Sequence, residues 1–486
     1  MLETATDDAV SPRDRSNHVK GEHMMAKKKV KAPVQKNEEV TAVCEDFTHE
    51  GLGVAKVDGY PLFTPYLIPG EKAKIKVVKV NKQYGYGKLL ELLDRSDDRV
   101  EPPCNVFYRC GGCQLQHLTY DAQLEMKYHV VKNNLEKIGK ITDATIHPVL
   151  GMEEPWRYRN KIQMPVGEKD GRIITGFYQE RSHNIIPDMD TCHIQNKYGD
   201  EIINFLRDVL NELKIPAYDE AVHQGVIRHI ITRTAYETEE TMVIFVTRTK
   251  RLPHKNELIR RLTEKFPKVK SIVHNINPLR TNVIMGDESK TIYGDDYIID
   301  SIGDIKFKIS PKSFFQVNPE QTKVLYEKAV EYARLKDTDV VIDAYCGIGS
   351  ISMFLAKKAK QVYGVEIVDE AVEAAKENAQ LNGIENVEFV AGKAEEVMPK
   401  WKEEGIKPNV IVVDPPRKGC DESLLQTMIA MEPERIVYVS CNPATLARDL
   451  RILEEGGYKT KEVQPVDMFP QTYHVECVTL MSKVEK

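Results

Sequence analysis

Three residues of this chain have the types and settings that covalent chemistry needs: Cys441, Asp414 and Glu476. Cys441 closes an apolar, β-branched run from Ile436 to Val439, and Pro443 and a helical pattern over Ala444 to Leu450 follow it. A thiol at a strand end, close to the free N–H groups of a helix start, is expected to have a lowered pKa and to serve as a nucleophile. A buried, inert packing cysteine is the other reading, and the local residues leave both open. Asp414 ends Asn409-Val-Ile-Val-Val and enters Pro415-Pro416-Arg417-Lys418-Gly419, whose prolines stiffen the loop and aim the carboxylate. A turn-forming Asp before proline is the plain alternative. Glu476 lies in Gln471-Thr-Tyr-His474-Val-Glu476-Cys-Val478, which alternates as a strand with His474 and Glu476 on one face. Its apolar neighbours would raise the carboxyl pKa and suit a general base, against the alternative of a salt-bridged structural Glu.

The elements that must position these residues begin near residue 311, where the pattern becomes strand–helix–strand with apolar strands. That is the signature of a doubly wound parallel α/β sheet of the Rossmann-like kind, which binds ligands at the carboxyl ends of its strands. Asp339-Val-Val-Ile-Asp343-Ala-Tyr345-Cys-Gly347-Ile-Gly349-Ser350 is a buried strand running into a glycine turn, and a helix over Ile351 to Ala359 follows. The next strand, Gln361 to Glu366, ends in an acid placed to accept from both ribose hydroxyls. Ser352 stands where a pyrophosphate-binding loop needs its third glycine, which favours S-adenosylmethionine (SAM) over a dinucleotide. After the third strand, Val387 to Val390, Lys393 occupies a position where an acid or amide often meets adenine, leaving Glu395 or a backbone carbonyl to substitute.

A thiolate, a base and a methyl donor together suit one reaction. Carbon 5 of uracil is too weak a nucleophile for a sulfonium, and addition of a thiolate to carbon 6 creates an enolate that is strong enough. Carbon 5 then takes the methyl group, a base removes its proton, and the thiolate leaves. Cys441 is the expected nucleophile and Glu476 the expected base, with Asp414 orienting cofactor or base. Both faces of the base must be reached, so it must be unstacked or flipped from RNA. Phe314 and Phe315 could line such a pocket, although core packing is the default for adjacent phenylalanines. Cytosine-5 methylation uses the same thiolate addition, and a non-catalytic RNA-binding or chaperone protein is the rival class.

The rest of the chain is consistent with an RNA partner. Residues 38 to 95 read as five short strands (Glu39–Asp46, Gly53–Val57, Pro61–Pro65, Glu71–Asn81, Gly85–Leu93), a small barrel of the oligonucleotide-binding kind. Lys72, Lys74, Lys76, Lys79, Lys82 and Lys88 charge it, and Tyr84 and Tyr86 are available for stacking. Residues 97 to 310 are mixed helix and strand, and 311 to 486 form the doubly wound domain, after the barrel at 37 to 96 and an expected disordered leader at 1 to 36. The leader holds the basic stretch Ala26 to Lys31, and Met24 or Met25 could be the natural start. With 486 residues, 41% hydrophobic and 29% charged, the chain has ample material for several packed domains. No apolar run reaches the roughly 18 residues of a membrane span and the start does not resemble a signal peptide, so a cytoplasmic monomer is expected. The net charge of −6 argues against a generally basic coat. Arg248 to Lys270 holds nine Lys/Arg against two acids, at a helical spacing that reads as a solvated face. Nine cysteines in such a chain point to metal or catalytic roles rather than disulfides. Cys104, Cys110, Cys113 and Cys192 could offer four thiolates to zinc or to an iron–sulfur cluster, and spacing alone does not choose.

Taken together, Ser313-Phe-Phe-Gln316-Val-Asn318, Asp343-Ala-Tyr-Cys-Gly-Ile-Gly349, Asp414-Pro-Pro-Arg-Lys-Gly419, Ser440-Cys441-Asn-Pro-Ala-Thr-Leu-Ala-Arg-Asp449 and His474-Val-Glu476-Cys-Val478 resemble the RNA uracil-5-methyltransferases. The resemblance spans residues 38 to 482. It implies SAM contacts from Gln316, Tyr345, Glu366 and Asp414, with Cys441 as nucleophile and Glu476 as base. It also implies that the barrel is a TRAM domain that binds RNA. The four-cysteine pattern is similar to the 23S ribosomal RNA branch, which implies a structural 4Fe–4S cluster on Cys104, Cys110, Cys113 and Cys192 in the central domain. Transfer RNA is the alternative substrate. Cys44, Cys346, Cys420 and Cys477 are left as packing residues.

Overall fold

The computed structural model describes residues 32–187, 189 and 191–484. Met24, Met25 and the basic stretch to Lys31 lie outside the described residues. The end of the expected leader does not: Val34 is buried against Tyr60, Leu62 and Val77. An apolar side chain five residues ahead of a barrel strand can fill that barrel's open end, and the hydrophilic composition around it hid this.

Strands β1 (Glu39–Phe47), β2 (Gly53–Val57), β3 (Tyr60–Thr64), β4 (Lys72–Val80) and β5 (Gly85–Asp94) close into a barrel in the order β1-β2-β3-β5-β4. Strict alternation drives β4: Ala73, Ile75 and Val77 point into the barrel, and the lysines between them face outward. Closure needs Gly87 on β5, where an added Cβ would come within 2.4 Å of Ile75 Cγ2 and 2.6 Å of Thr64 Oγ1. On the outer face Phe63 stacks on Tyr84 with centroids 5.3 Å apart, Tyr86 meets Phe63 edge-on at 5.8 Å, and Lys79 sits 6.0 Å from the Tyr86 ring.

The central region begins with α1 (Tyr120–Asn134), followed by the short β6 (Thr145–Ile146). It continues through β7 (Lys161–Lys169), β8 (Arg172–Thr175), α2 (Lys197–Glu212), β9 (Ile227–Thr234), β10 (Thr241–Thr247), α3 (Lys255–Lys265), β11 (Val269–Ile276) and β12 (Glu288–Gly294). Its strands form one sheet in the order β12-β11-β10-β9-β7-β8. On α3, Arg260 and Arg261 are engaged by Glu257, Glu264 and Glu212, so much of that basic stretch is a self-compensated solvated face. A hairpin of β13 (Ile298–Ile302) and β14 (Ile305–Ile309) leads into the last domain.

That domain contains α4 (Pro319–Ala333), β15 (Val340–Ala344), α5 (Ser350–Ala356), β16 (Gln361–Glu366), α6 (Asp369–Leu381), β17 (Val387–Ala391), α7 (Ala394–Glu403), β18 (Val410–Val413), α8 (Glu422–Met431), β19 (Arg435–Ser440), α9 (Pro443–Glu455), β20 (Tyr458–Val466) and β21 (Glu476–Lys483). The strands lie in the order β17-β16-β15-β18-β19-β21-β20-β6, with β21 antiparallel to both neighbours. The first five are parallel, and the strand order reverses between β15 and β18, which makes their carboxyl ends the natural ligand crevice. Helices cover both faces, which is why β18 is apolar at every position and buried throughout. β6 adds parallel to β20, so the central region completes the last domain's sheet.

Candidate active site

The glycine turn after β15 holds Tyr345, Gly347 and Gly349 at φ values of 68°, 55° and 82°. Left-handed backbone at a tyrosine is uncommon and costs energy, so tertiary contacts must hold it there. Two such contacts are hydrogen bonds: the Tyr345 and Cys346 N–H groups both donate to the Val365 carbonyl, at 3.0 and 3.1 Å. Glu366, at the end of β16, accepts from the N–H groups of Gly347 (3.1 Å) and Val368 (3.0 Å), which fixes its carboxylate at the mouth of the turn. Ser352 donates to the buried Asp343 at 2.5 Å, and burial raises that carboxyl to about 7. The serine that replaces the third glycine is thus a structural donor. Lys393 points outward and pairs with Glu396 at 3.2 Å.

Asp414, Cys441 and Glu476 come together at the carboxyl edge, at the ends of β18 and β19 and the start of β21. Glu476 is 4% exposed, and burial, with Asp414 nearby, pushes its carboxyl up to about 8. Burial raises Asp414 to about 7. The Cys441 thiol is raised to about 11, chiefly by burial and then by the Glu476 and Asp414 carboxylates, whereas the Arg417 guanidinium pulls it down. This corrects the expectation of a lowered thiol pKa. α9 starts at Pro443, and Asn442 caps it by accepting from Ala444 N–H at 3.0 Å, so Cys441 stands ahead of an N-terminus that is already satisfied. Two carboxylates and a dry setting then outweigh a screened helix end.

The loop bearing Arg417 is anchored from α9. Asn442 Nδ2 and Thr445 Oγ1 donate to the Arg417 carbonyl at 3.1 and 3.2 Å, and Arg448 donates to the Lys418 carbonyl at 3.0 Å. The sequence displayed Arg417 but not its position beside both the thiol and the base.

The strand expected over Gln471 to Val478 starts only at Glu476. The face shared by His474 and Glu476 therefore does not exist as a strand face, and Gln471 has a φ of 71° that no strand accommodates. Instead the segment is clamped by long-range partners invisible to periodicity. Gln123 exchanges two hydrogen bonds with Gln471, both 3.0 Å, and Lys127 is fully buried against Asp467 at 2.5 Å. His474 packs on Tyr473, with centroids 4.3 Å apart, and burial lowers its pKa to about 4, so it is neutral at ordinary pH. Gln316 is held by its backbone, its carbonyl accepting from Asn160 Nδ2 at 3.2 Å. The two phenylalanines part company: Phe315 is core, and Phe314 is 75% exposed.

Cys44, Cys346, Cys420 and Cys477 are buried. Cys104, Cys110, Cys113 and Cys192 line one cavity of about 210 Å³, with Phe107, Phe177 and Arg159 among its other walls. Burial raises Cys113 to about 12 and raises Cys110 and Cys192 as well. A set of four thiols fits a thiophilic metal in kind. Among the described residues, however, no three Cys, His, Asp or Glu side chains stand at metal-binding spacing.

A TRAM-type barrel, a central module and a parallel sheet with its glycine turn and acid-tipped second strand define a SAM-dependent methyltransferase. Residues 260–484 match the model of the tRNA (uracil-5-)-methyltransferase family, and residues 33–90 match the TRAM domain. An RNA methyltransferase of Oceanobacillus iheyensis is 62% identical over 93% of this chain and 98% of its own length. One of Halalkalibacterium halodurans is 60% identical over 93% and 99%. The crystal structure of Pyrococcus abyssi tRNA (uracil-54, C5)-methyltransferase with S-adenosyl-L-homocysteine superposes with a TM-score of 0.74 at 30% identity, covering 91% of this chain and 99% of that one. The chain belongs to the SAM-dependent RNA uracil-5-methyltransferases. Among the described residues no helix is long and apolar enough to cross a membrane.

Proposed function

We propose that this enzyme methylates carbon 5 of a uridine in 23S ribosomal RNA, with Cys441 as the nucleophile and Glu476 as the base. The observation that carries this reading is the meeting of a thiol, a buried carboxyl raised to about 8 and Arg417 at one sheet edge. Cys441 is a thiol in the free protein, and its deprotonation to solvent, eased by the Arg417 guanidinium, precedes attack. Its thiolate adds to carbon 6 of the extruded base, and the enolate makes carbon 5 nucleophilic. Gln316, Tyr345, Glu366 and Asp414 would hold SAM, which would supply an electrophilic methyl group to carbon 5 and leave as S-adenosylhomocysteine. Glu476 then removes the carbon 5 proton, and the thiolate departs with re-formation of the ring double bond. A base with a pKa of about 8 is well matched to neutral conditions, where a strong proton acceptor must still be partly ionised.

Cys104, Cys110, Cys113 and Cys192 would hold a 4Fe–4S cluster, supported by their shared cavity and by the family resemblance. Its service would be structural, tying the cysteine loop to its neighbours. Anaerobic purification followed by iron and sulfide assay tests this, and a protein carrying zinc alone would overturn it.

Transfer RNA is the second reading, favoured by the activity named for the Pyrococcus abyssi enzyme. Incubation of the enzyme and SAM with unmodified 23S ribosomal RNA and with tRNA transcripts, scored for 5-methyluridine, separates the two. Methylation of tRNA alone would refute the ribosomal assignment. Every group named lies in one chain, and the enzyme is inferred to act as a cytoplasmic monomer.

A further inference from the structure

Lys161 opens β7 and Arg233 lies near the end of β9, and the two are directly opposed in the antiparallel register of those strands. Like charges placed opposite one another on a sheet repel, and a sheet normally relieves this with a carboxylate. No ion pair relieves either residue among the described ones. Arg233 is only 5% exposed, and its guanidinium is half used: Nη2 donates to the Ser313 carbonyl at 2.7 Å, and Nε has no partner. Arg159, two residues before Lys161, adds a third positive charge close enough to act on Lys161 and on His474. Burial and these two guanidiniums drag the Lys161 ammonium down to about 7. Buried cations that repel each other and keep a donor unsatisfied are unfavourable alone and favourable around an anion.

Their position says which anion. Arg233 shares its strand face with Ile231, which belongs to the same hydrophobic core as Phe315 and the methyltransferase-domain strands, so the pair looks toward that domain. It supports the Ser313-to-Gln316 loop from below, at the residue before the exposed Phe314. A cation beside an exposed aromatic ring is the arrangement that holds a single nucleic-acid strand, the cation on the backbone and the ring under a base. Of the groups assigned to SAM, Tyr345 follows β15 and Glu366 ends β16, on another sheet, whereas Gln316 lies on the loop that Arg233 supports, so SAM affinity must be read beside RNA affinity. We propose that Lys161 and Arg233 form the seat for an RNA backbone phosphate next to the nucleotide delivered to Cys441. This rests on the RNA methyltransferase reading and adds to it a named phosphate contact.

Lys161→Met removes one charge and keeps an aliphatic stem of similar length. The salt dependence of binding to a single-stranded RNA carrying uridine should lose about one counterion's worth of slope. Affinity should fall about tenfold at low salt, the loss of one charged hydrogen bond. Lys161→Arg should restore both. The melting temperature without RNA should hold or rise, because a like-charge contact is gone. Inorganic phosphate should stabilise the wild type against heat more than Lys161→Met. Unchanged RNA affinity and slope in a folded Lys161→Met protein would overturn the proposal. So would a selective loss of SAM affinity, which would assign the seat to the cofactor's carboxylate. Because RNA binding is read directly, failure of the phosphate seat is distinguishable from failure of the methylation chemistry, which is read by turnover of the wild type.

Discussion

Glu476→Gln should stabilise the protein at high pH while destroying its turnover. In the folded protein the Glu476 carboxyl titrates at about 8, against 4.5 for an ordinary glutamate. A raised carboxyl binds its proton more tightly when folded. Its contribution to stability is therefore complete below the unfolded value and is lost as pH rises through the window between the two. Across that window the wild type loses about 1.4 kcal/mol per pH unit to this one group, and the loss levels off at about 5 kcal/mol once the folded carboxyl has ionised. A neutral glutamine at the same 4%-exposed position has no such cost. The variant should match the wild type near pH 4.5 and lead by about 3 kcal/mol near pH 6.5. Its lead should reach about 5 kcal/mol by about pH 9. Urea unfolding of both proteins at several pH values measures the difference directly. A difference that does not change with pH, or a variant less stable at high pH, would refute the reasoning that Glu476 is held protonated by burial.

The remaining predictions concern its neighbours. Arg417→Gln should raise the thiol pKa of Cys441 further and slow its alkylation by iodoacetamide at a fixed pH, because Arg417 is the group that pulls it down. Glu476→Gln should also trap the covalent protein–RNA adduct, visible as a band that survives denaturing gel electrophoresis; free RNA in every lane would count against the base assignment. Lys127→Met should destabilise by about 3–5 kcal/mol, the effect of leaving one member of a buried ion pair uncompensated. Lys127→Met with Asp467→Leu should recover much of that loss in the same urea assay.

Much of the doubly wound domain could be read along the chain because its strands are short apolar runs bounded by turns and carry their chemistry at their ends. Gln361 to Glu366 and its terminal acid emerged in full for that reason. The barrel was legible through alternation, as β4 shows. What could not be read was whatever depends on partners far away in sequence. Gln471 leaves the β conformation because Gln123, almost 350 residues earlier, holds it. The alternation of residues 471 to 475 therefore imitated a strand. Cys441 looked activated because a helix follows it, and the opposing carboxylates arrive from two other segments. Lys161 and Arg233 are unremarkable as isolated basic residues and become informative only through their register.

The most direct measurement is release of tritium from carbon 5 of labelled uridine in RNA, in the presence of SAM, by the wild type and by Cys441→Ala. Carbon 5 must give up its hydrogen once for each methyl group it gains, and only after the thiolate has added to carbon 6. The wild type should release tritium in step with methyl incorporation, and Cys441→Ala should release none above background. Equal release by the two proteins would contradict covalent catalysis by Cys441.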